Sequence, residues 1–238
     1  CSLPTRDVMA LLQLDMIKIQ RNEGKEPIYS TEEIRQTVLH TIGLEYGEVT
    51  DITPDIRLTL YNAGHILGSS IVHFNIGNGL HNFAYTGDLK YGRTNVLEPG
   101  NTQFPRLETL MIESTYGGKD NVMAEMEADE YMIKVVGEVF KNGGKILMPV
   151  LGSGRAQEVM IIVERLMREK KIPDAPVYID GLLWDISAIH TAYPEFLNRN
   201  LRQQVFNVEG NPFLSPIFKK IGSKKEREQV IVRGDIPF

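Results

Sequence analysis

Residues 62–90, NAGHILGSSIVHFNIGNGLHNFAYTGDLK, combine short apolar strands with polar residues at the strand ends. His65 follows the predicted strand 56–60 and a glycine that permits a sharp bend. Asp88 follows the apolar residues 83–85 and a further glycine. An imidazole and a carboxylate are both ligands that a divalent metal ion accepts. The stretch therefore predicts a candidate metal site built from adjacent strand ends.

Each of these two residues also has an ordinary structural explanation. A single histidine at a strand end is more often hydrogen-bonded to backbone than bound to a metal. An aspartate after a strand often closes an Asx turn. The spacing of His65 and Asp88 leaves these alternatives open, and the neighbouring segments are needed to choose between them.

The composition is that of an ordinary globular chain. The 238 residues are 42% hydrophobic and 24% charged, with a formal net charge of −5, and this length allows one large or two modest domains. A net negative charge is not typical of a nucleic-acid-binding domain, although it does not exclude a local basic groove. The one cysteine, Cys1, excludes a disulfide within the chain and suits a reducing cytoplasm. No apolar run is long enough to cross a bilayer.

Local signals divide the first half into two helices followed by short strands. Thr5, as N-cap, and the apolar spacing of residues 8–19 predict a first helix. Ser30 and Glu33 form a capping box that opens a second helix. Alternating or continuous apolar runs predict strands, with a tight turn at 77–79, and these strands are 56–60, 71–76, 83–85 and 107–112.

The second half alternates strands with helices, which indicates a doubly wound α/β layer. The predicted strands are 145–150, 175–179 and 230–232, and the predicted helices are 122–141, 156–171, 181–193 and 194–206. The Gly-rich turn 151–155 opens the second of these helices. Because the chain begins with Cys1 and ends on a predicted strand, we expect it to be part of a longer protein.

Four segments, in order, resemble the metallo-β-lactamase fold and its β-CASP subfamily. Residues 63–70 (AGHILGSS) and 85–88 (YTGD) resemble the third and fourth metal-binding motifs of that fold. Residues 112–117 (IESTYG) resemble the first β-CASP motif, and residues 149–158 (PVLGSGRAQE) resemble the signature early in the β-CASP insert. The resemblance is closest to ribonucleases related to the nuclease subunit of the cleavage and polyadenylation specificity factor, the archaeal versions in particular.

This resemblance implies an α/β fold with two parts. Residues 1–113 are expected to form the C-terminal portion of a metallo-β-lactamase αββα sandwich, and residues 114–238 a doubly wound β-CASP domain. His65 is then expected to be a ligand of one of two zinc ions, and Asp88 the carboxylate that bridges both. Glu113 is expected to support the active site or to help proton transfer, and its alternative role is to cap the loop that follows it.

The Gly-rich turn is a candidate phosphate-binding site. Ser153, Gly154 and Arg155 lie at a predicted helix N-terminus, where backbone amides and the helix dipole favour an anion. In an RNA enzyme that anion would be a phosphate group. An equally good alternative is a packing turn followed by a surface arginine.

The chain departs from the family pattern in one respect that limits the metal site. The His-x-His-x-Asp-His motif of dinuclear relatives is absent from the sequence, because no two of its five histidines are two residues apart. Zinc normally takes four ligands, or three and a water, whereas His65 and Asp88 supply two. We therefore expect the other ligands to lie outside this sequence, and the isolated chain to hold zinc poorly and to be inactive.

We interpret the chain as part of a zinc-dependent RNA endonuclease of RNA 3′-end processing, to which some relatives add 5′-to-3′ exonuclease activity. The expected partner is RNA, the expected location is the cytoplasm, and no membrane association is expected. Further partners, either a second copy of the chain or subunits of a processing complex, are two open alternatives. The alternative is a non-catalytic RNA-binding or scaffold paralogue of the same family. A small-molecule hydrolase such as a thioesterase is disfavoured by residues 112–117 and 149–158, which resemble nucleic-acid enzymes.

Overall fold

The predicted α/β class is confirmed by a computed structural model, which describes residues 1–118, 125–206 and 210–232. The chain divides into two compact units. The first consists of Cys1–Ser114 with Glu195–Asn198, and the second of Thr115–Pro194 with Arg199–Phe238. Within the described ranges, no helix is long and apolar enough to cross a membrane.

A five-stranded sheet forms the centre of the first unit. Its strands are β1 (Val49–Thr53), β2 (Ile56–Asn62), β3 (Ser70–Ile76), β4 (His81–Tyr85) and β5 (Thr109–Met111). They lie side by side in chain order; β1 to β4 pair in antiparallel fashion, and β5 is parallel to β4. Because β3 runs against both β2 and β4, strands β2, β4 and β5 run in one direction. Their carboxyl ends therefore meet at the same edge of the sheet.

The strand and turn predictions for this sheet are confirmed, although the run 107–112 pairs over only three residues. The β3–β4 hairpin turns at residues 77–79, all three of which have positive φ angles. A small buried core of the first unit consists of Ala63, Ile71 and Ala84, against which Tyr61, Leu89, Phe104 and Leu107 pack. Ile71 and Ala84 belong to β3 and β4, and Ala63 directly follows β2.

Two helices precede the sheet, α1 (Leu3–Asn22) and α2 (Thr31–Leu39). The prediction of Thr5 as the first N-cap is wrong, because the N-cap is Ser2, whose Oγ accepts the amide hydrogen of Thr5 at 3.4 Å. Pro4 is tolerated in the first turn because its nitrogen needs no partner there. The second prediction is confirmed: Ser30 Oγ accepts from the Glu33 amide, and the Glu33 carboxylate accepts from the Ser30 amide.

The second unit alternates helices with two short strands. Its elements are α3 (Glu125–Lys141), α4 (Arg155–Arg168), β6 (Val177–Ile179), α5 (Leu183–Ala192), α6 (Arg199–Phe206), β7 (Phe218–Lys220) and α7 (Lys224–Val232). Strands β6 and β7 pair in parallel, as a doubly wound layer requires. The predicted start of the third helix at residue 122 lies outside the described residues. The core of this unit consists of buried side chains of α3, α4 and the loop after α4, namely Val136, Val163, Leu166, Met167, Ile172 and Ala175.

Two strand predictions in the second unit are wrong. Residues 145–150 pair with no other strand in the described part of the chain, and Leu147 is 90% exposed. A continuous apolar run does not form a strand without a neighbouring strand to complete its hydrogen bonds. Residues 230–232 instead end α7, which begins where Ser223 Oγ accepts the Glu226 amide. Lys145 Nζ donates to the terminal carbonyls of Val230 and Ile231, which favours the helical ending.

His190, on α5, is fully buried. Its Nδ1 lies 2.8 Å from the Ile186 carbonyl, which can only accept, so Nδ1 carries the hydrogen. Nε2 has no hydrogen-bond partner among the described residues. Burial lowers the pKa of His190 to about 4, since a charged imidazolium is costly away from water.

Replacing His190 by leucine should remove a pH dependence of stability. The folded-state pKa of about 4 lies below the unfolded value of about 6.5, so the unfolded chain binds the proton first as pH falls. Stability that is fully present above pH ~6.5 is therefore lost toward pH ~4. Urea unfolding at pH 7 and pH 5 should show a wild-type loss about 2 kcal/mol larger than that of His190→Leu.

His40 offers a matched control, because its Nδ1 also lies near the carbonyl four residues earlier, but on an exposed ring. His40→Leu should retain the wild-type loss between the two pH values. If wild type and His190→Leu lost equal stability between pH 7 and pH 5, buried His190 would not be the source of the pH dependence.

Candidate metal centre

The three residues predicted at strand ends lie at one edge of the first sheet. His65 follows β2, Asp88 follows β4 and Glu113 follows β5, and these are the three strands that run in the same direction. His65 Nε2 lies 3.7 Å from Asp88 Oδ2. Glu113 Oε1 accepts the amide hydrogen of Leu89, the residue after Asp88, at 2.8 Å. Strand direction thus brings together side chains that are far apart in the sequence.

The loop that carries His65 is closed by Ser69. Ser69 Oγ accepts the amide hydrogens of His65 and Ile66, each at 3.2 Å. The Ser69 amide donates to the Ile66 carbonyl, and the Ser69 carbonyl accepts from the Ala63 amide, both at 3.0 Å. The backbone on both sides of the imidazole is therefore fixed by one residue.

Two further contacts hold this loop from outside. The Gly68 carbonyl accepts hydroxyl hydrogens from Ser2 at 2.7 Å and Thr5 at 2.9 Å, which ties it to the start of α1. The Tyr46 hydroxyl donates to the Ser69 carbonyl at 2.7 Å. Burial raises the pKa of Tyr46 well above its usual range, so the phenol keeps the hydrogen that this bond needs.

The loop that carries Asp88 is held by the end of β5. Thr86 is buried, its amide donates to the Met111 carbonyl at 3.1 Å, and its hydroxyl oxygen accepts the Glu113 amide at 3.4 Å. The Glu113 carboxylate then binds the Leu89 amide on the far side of Asp88. Glu113 thus contacts the backbone directly beside Asp88, and its predicted supporting role stays a prediction.

The two loops and residues 98–101 lock together through backbone contacts. The Lys90 amide donates to the Ala63 carbonyl at 3.0 Å, and the Gly100 amide donates to the Lys90 carbonyl at 2.8 Å. Gly64 sits inside this junction with φ of +69°. Only glycine suits this position, because the conformation is left-handed and backbone atoms surround the α-carbon.

His65 and Asp88 have the donor chemistry and spacing of two zinc ligands. Zinc accepts imidazole nitrogen and carboxylate oxygen, and two ligands about 2.1 Å from a tetrahedral ion lie roughly 3.4 Å apart. The side chains are 40% and 71% exposed, so an ion can reach them. Within the part of the chain that the structure describes, no three His, Cys, Asp or Glu side chains are grouped to hold a metal. The pair thus fits half of the usual four-ligand shell.

The second unit places Ser153, Gly154 and Arg155 together at the start of α4. The Gly154 amide, however, donates to Gln157 Oε1 at 2.8 Å, and the Arg155 amide donates to the Ser153 carbonyl at 3.2 Å. The exposed guanidinium of Arg155 donates to the Tyr116 hydroxyl oxygen at 3.1 Å. An anion at this turn would therefore meet side chains in preference to these two amides.

Gln157 is a residue whose role we did not derive from the sequence. It is fully buried, accepts the Gly154 amide, and donates to the Gly152 carbonyl at 3.2 Å and to Ser187 Oγ at 3.3 Å. The sequence does carry a signal for this contact, since a glutamine three residues after an N-cap can accept the N-cap amide. Tyr46, by contrast, lies outside every motif, and no local pattern indicates its contact with Ser69.

A comparison with known protein families finds a match in the second half of the chain. Residues 156–236 match the model of the Beta-Casp domain. The chain therefore carries a β-CASP domain, and the resemblance of the sequence to β-CASP proteins is confirmed.

Individual relatives are similar over almost the whole chain. Proteins called transcription termination factor FttA are 56% identical in Pyrococcus abyssi, 53% in Methanocaldococcus jannaschii and 47% in Lokiarchaeum. The alignments cover 96%, 97% and 98% of this chain, but 35%, 36% and 37% of those relatives. The chain therefore spans about a third of the length of the curated relatives it matches.

Replacing Gly64 by alanine should break the junction of the loops. An added Cβ would lie 2.6 Å from Gly100 N and 2.9 Å from the carbonyl oxygens of Glu98 and Lys90. Gly47 is the matched control, since its φ of +79° imposes the same strain but nothing lies within 4 Å. In urea unfolding, Gly64→Ala should cost at least about 2 kcal/mol more than Gly47→Ala. If the two substitutions lowered the free energy of unfolding equally, the backbone around Gly64 would not be closely packed, contrary to the structure.

Proposed function

We propose that this chain carries part of the active site of a zinc-dependent RNA endonuclease that acts in RNA 3′-end processing. The proposal includes a 5′-to-3′ exonuclease activity, which some members of the family that the sequence resembles also have. Within it, residues 1–113 are the C-terminal portion of a metallo-β-lactamase domain and residues 114–238 belong to the β-CASP domain. RNA is the proposed partner, and the cytoplasm the proposed location.

The observation that carries this proposal is the pairing of His65 with Asp88 at 3.7 Å on the common edge of β2, β4 and β5. An exposed imidazole and an exposed carboxylate gain little from each other in water. Yet two hydrogen-bonded loops hold them side by side, which is the preorganisation that a metal site requires. The name of the relatives, transcription termination factor, supports RNA as the substrate.

The chemistry follows from the donors. Zinc bound between His65 and Asp88 would supply a Lewis acid that polarises a phosphoryl oxygen and makes water a stronger nucleophile near neutral pH. His65 would bind through Nε2, the atom that faces Asp88. Asp88, with two carboxylate oxygens, is the residue suited to contact two ions. Glu113 keeps Asp88 in place through the Leu89 amide.

We also propose that the turn formed by Ser153, Gly154 and Arg155 binds a phosphate of the RNA through the Arg155 side chain. The support is the exposed guanidinium of Arg155, which is the side chain best suited to phosphate, beside a helix N-terminus. Ser153 Oγ is buried and has no hydrogen-bond partner among the described residues. Gly154 contributes the left-handed turn, with φ of +81°, that exposes this end of the helix.

Asp88→Asn in the full-length protein is the direct test. The amide keeps the shape of the side chain but removes the charge that binds metal, so kcat for RNA cleavage should fall at least about 100-fold. Asp51→Asn, on β1 and away from the common edge, is the matched control and should retain wild-type cleavage. In the same assay Arg155→Ala should raise KM and leave kcat within about twofold, and should lower the salt dependence of RNA binding.

Unchanged cleavage in Asp88→Asn would overturn the proposed endonuclease. If zinc is also absent from the full-length protein while RNA still binds, the non-catalytic RNA-binding or scaffold alternative is supported. Loss of cleavage in Asp51→Asn would show that the sheet as a whole, and not the metal site, was perturbed.

A further inference from the structure

We infer that Asn62 is a positioning residue for the metal-binding pair. Asn62 is the last residue of β2 and makes no contact with the proposed ion. Its amide side chain joins the His65 loop to residues 98–99, whose neighbour Gly100 binds the Asp88 loop. This role rests on the proposed function, because it concerns the spacing of the ligands that zinc would use.

Both the oxygen and the nitrogen of the Asn62 side chain are hydrogen-bonded to nearby backbone groups. Asn62 Oδ1 accepts the Gly64 amide at 2.9 Å, directly before His65. Asn62 Nδ2 donates to the carbonyls of Glu98 and Pro99, each at 3.1 Å. The Asn62 carbonyl accepts the Asn101 amide at 2.8 Å. One residue therefore contacts both sides of the junction through side chain and backbone.

The contacts form a closed circuit that includes both ligand loops. From Gly64 the path runs through the Asn62 amide group to residues 98–99, then from the Gly100 amide to the Lys90 carbonyl. It closes where the Lys90 amide meets the Ala63 carbonyl. Lys90 lies two residues after Asp88, and Gly64 directly precedes His65. A change in this circuit therefore changes the separation of the two ligands.

Only an amide can make this set of bonds. The position requires an acceptor toward Gly64 and a two-hydrogen donor toward two carbonyls, which is the hydrogen-bonding capacity of asparagine. Serine supplies an acceptor for the Gly64 amide through an ST turn but lacks the second donor. Alanine supplies neither. The three residues thus form a graded series without a change of charge.

The test measures zinc affinity and RNA cleavage of Asn62→Ala and Asn62→Ser in the full-length protein. Zinc affinity is measured by competition with a chromophoric chelator, at a temperature where circular dichroism shows each variant folded. Asn62→Ala should weaken zinc binding at least about tenfold, as loss of an outer-shell support does, and Asn62→Ser should weaken it less. In cleavage, kcat should fall by a similar factor while KM changes less than about twofold.

Asn101→Ala is the matched control in the same loop. Among the described residues, its side chain donates to the nearby Gln103 carbonyl alone, and its backbone amide contact with Asn62 survives the substitution. Asn101→Ala should keep wild-type zinc affinity and kcat. If Asn62→Ala does not fold, Asn62→Ser decides the question alone.

The outcomes separate this inference from the proposed function. Wild-type zinc affinity and kcat in folded Asn62 variants, with Asp88→Asn inactive, would overturn the positioning role and leave the endonuclease standing. A lowered melting temperature without a change in zinc affinity would likewise show a merely structural role. Wild-type protein that binds no zinc would overturn both.

Discussion

The direction of three strands is the constraint on which the candidate site depends. Strands β2, β4 and β5 run the same way because β3 reverses between the first two and β5 pairs in parallel with the third. Their carboxyl ends therefore lie at one edge, as do the loops that follow them. His65, Asp88 and Glu113 meet there although they span residues 65–113. If one of these three strands ran the other way, the residue that follows it would lie at the opposite edge of the sheet, about one strand length from the other two.

Hydrogen bonds then set the fine geometry that strand direction leaves open. Ser69 fixes the backbone around His65, and Glu113 fixes the backbone beside Asp88. Asn62 joins the two loops through residues 98–101. Most of these bonds use buried or half-buried groups, where an unpaired donor or acceptor is expensive. The exposed side chains of His65 and Asp88 are thus attached to a backbone that is fixed by hydrogen bonds, which limits the conformational entropy lost when an ion binds.

Much of this could be predicted from local sequence, because turns and caps act over a few residues. The turn at 77–79 and the Ser30 capping box follow from residue type alone. The family resemblance supplied the pairing of His65 with Asp88, which spacing left open. Residues 145–150 and 230–232 were predicted wrongly, since an apolar run does not identify the neighbouring strand that a strand must pair with, and Leu147, Ile231 and Val232 are exposed. The contacts of Asn62 and Tyr46 are non-local, and no pattern near them indicates what they bind.

The central claim is that His65 and Asp88 bind the same metal ion. Anomalous diffraction at the zinc absorption edge, on crystals of the full-length protein grown with zinc, tests it most directly. The claim predicts an anomalous peak within about 2.3 Å of both His65 Nε2 and an Asp88 carboxylate oxygen. A second peak on the other Asp88 oxygen would add the bridging role. Zinc peaks elsewhere in the protein, with none beside this pair, would contradict the claim.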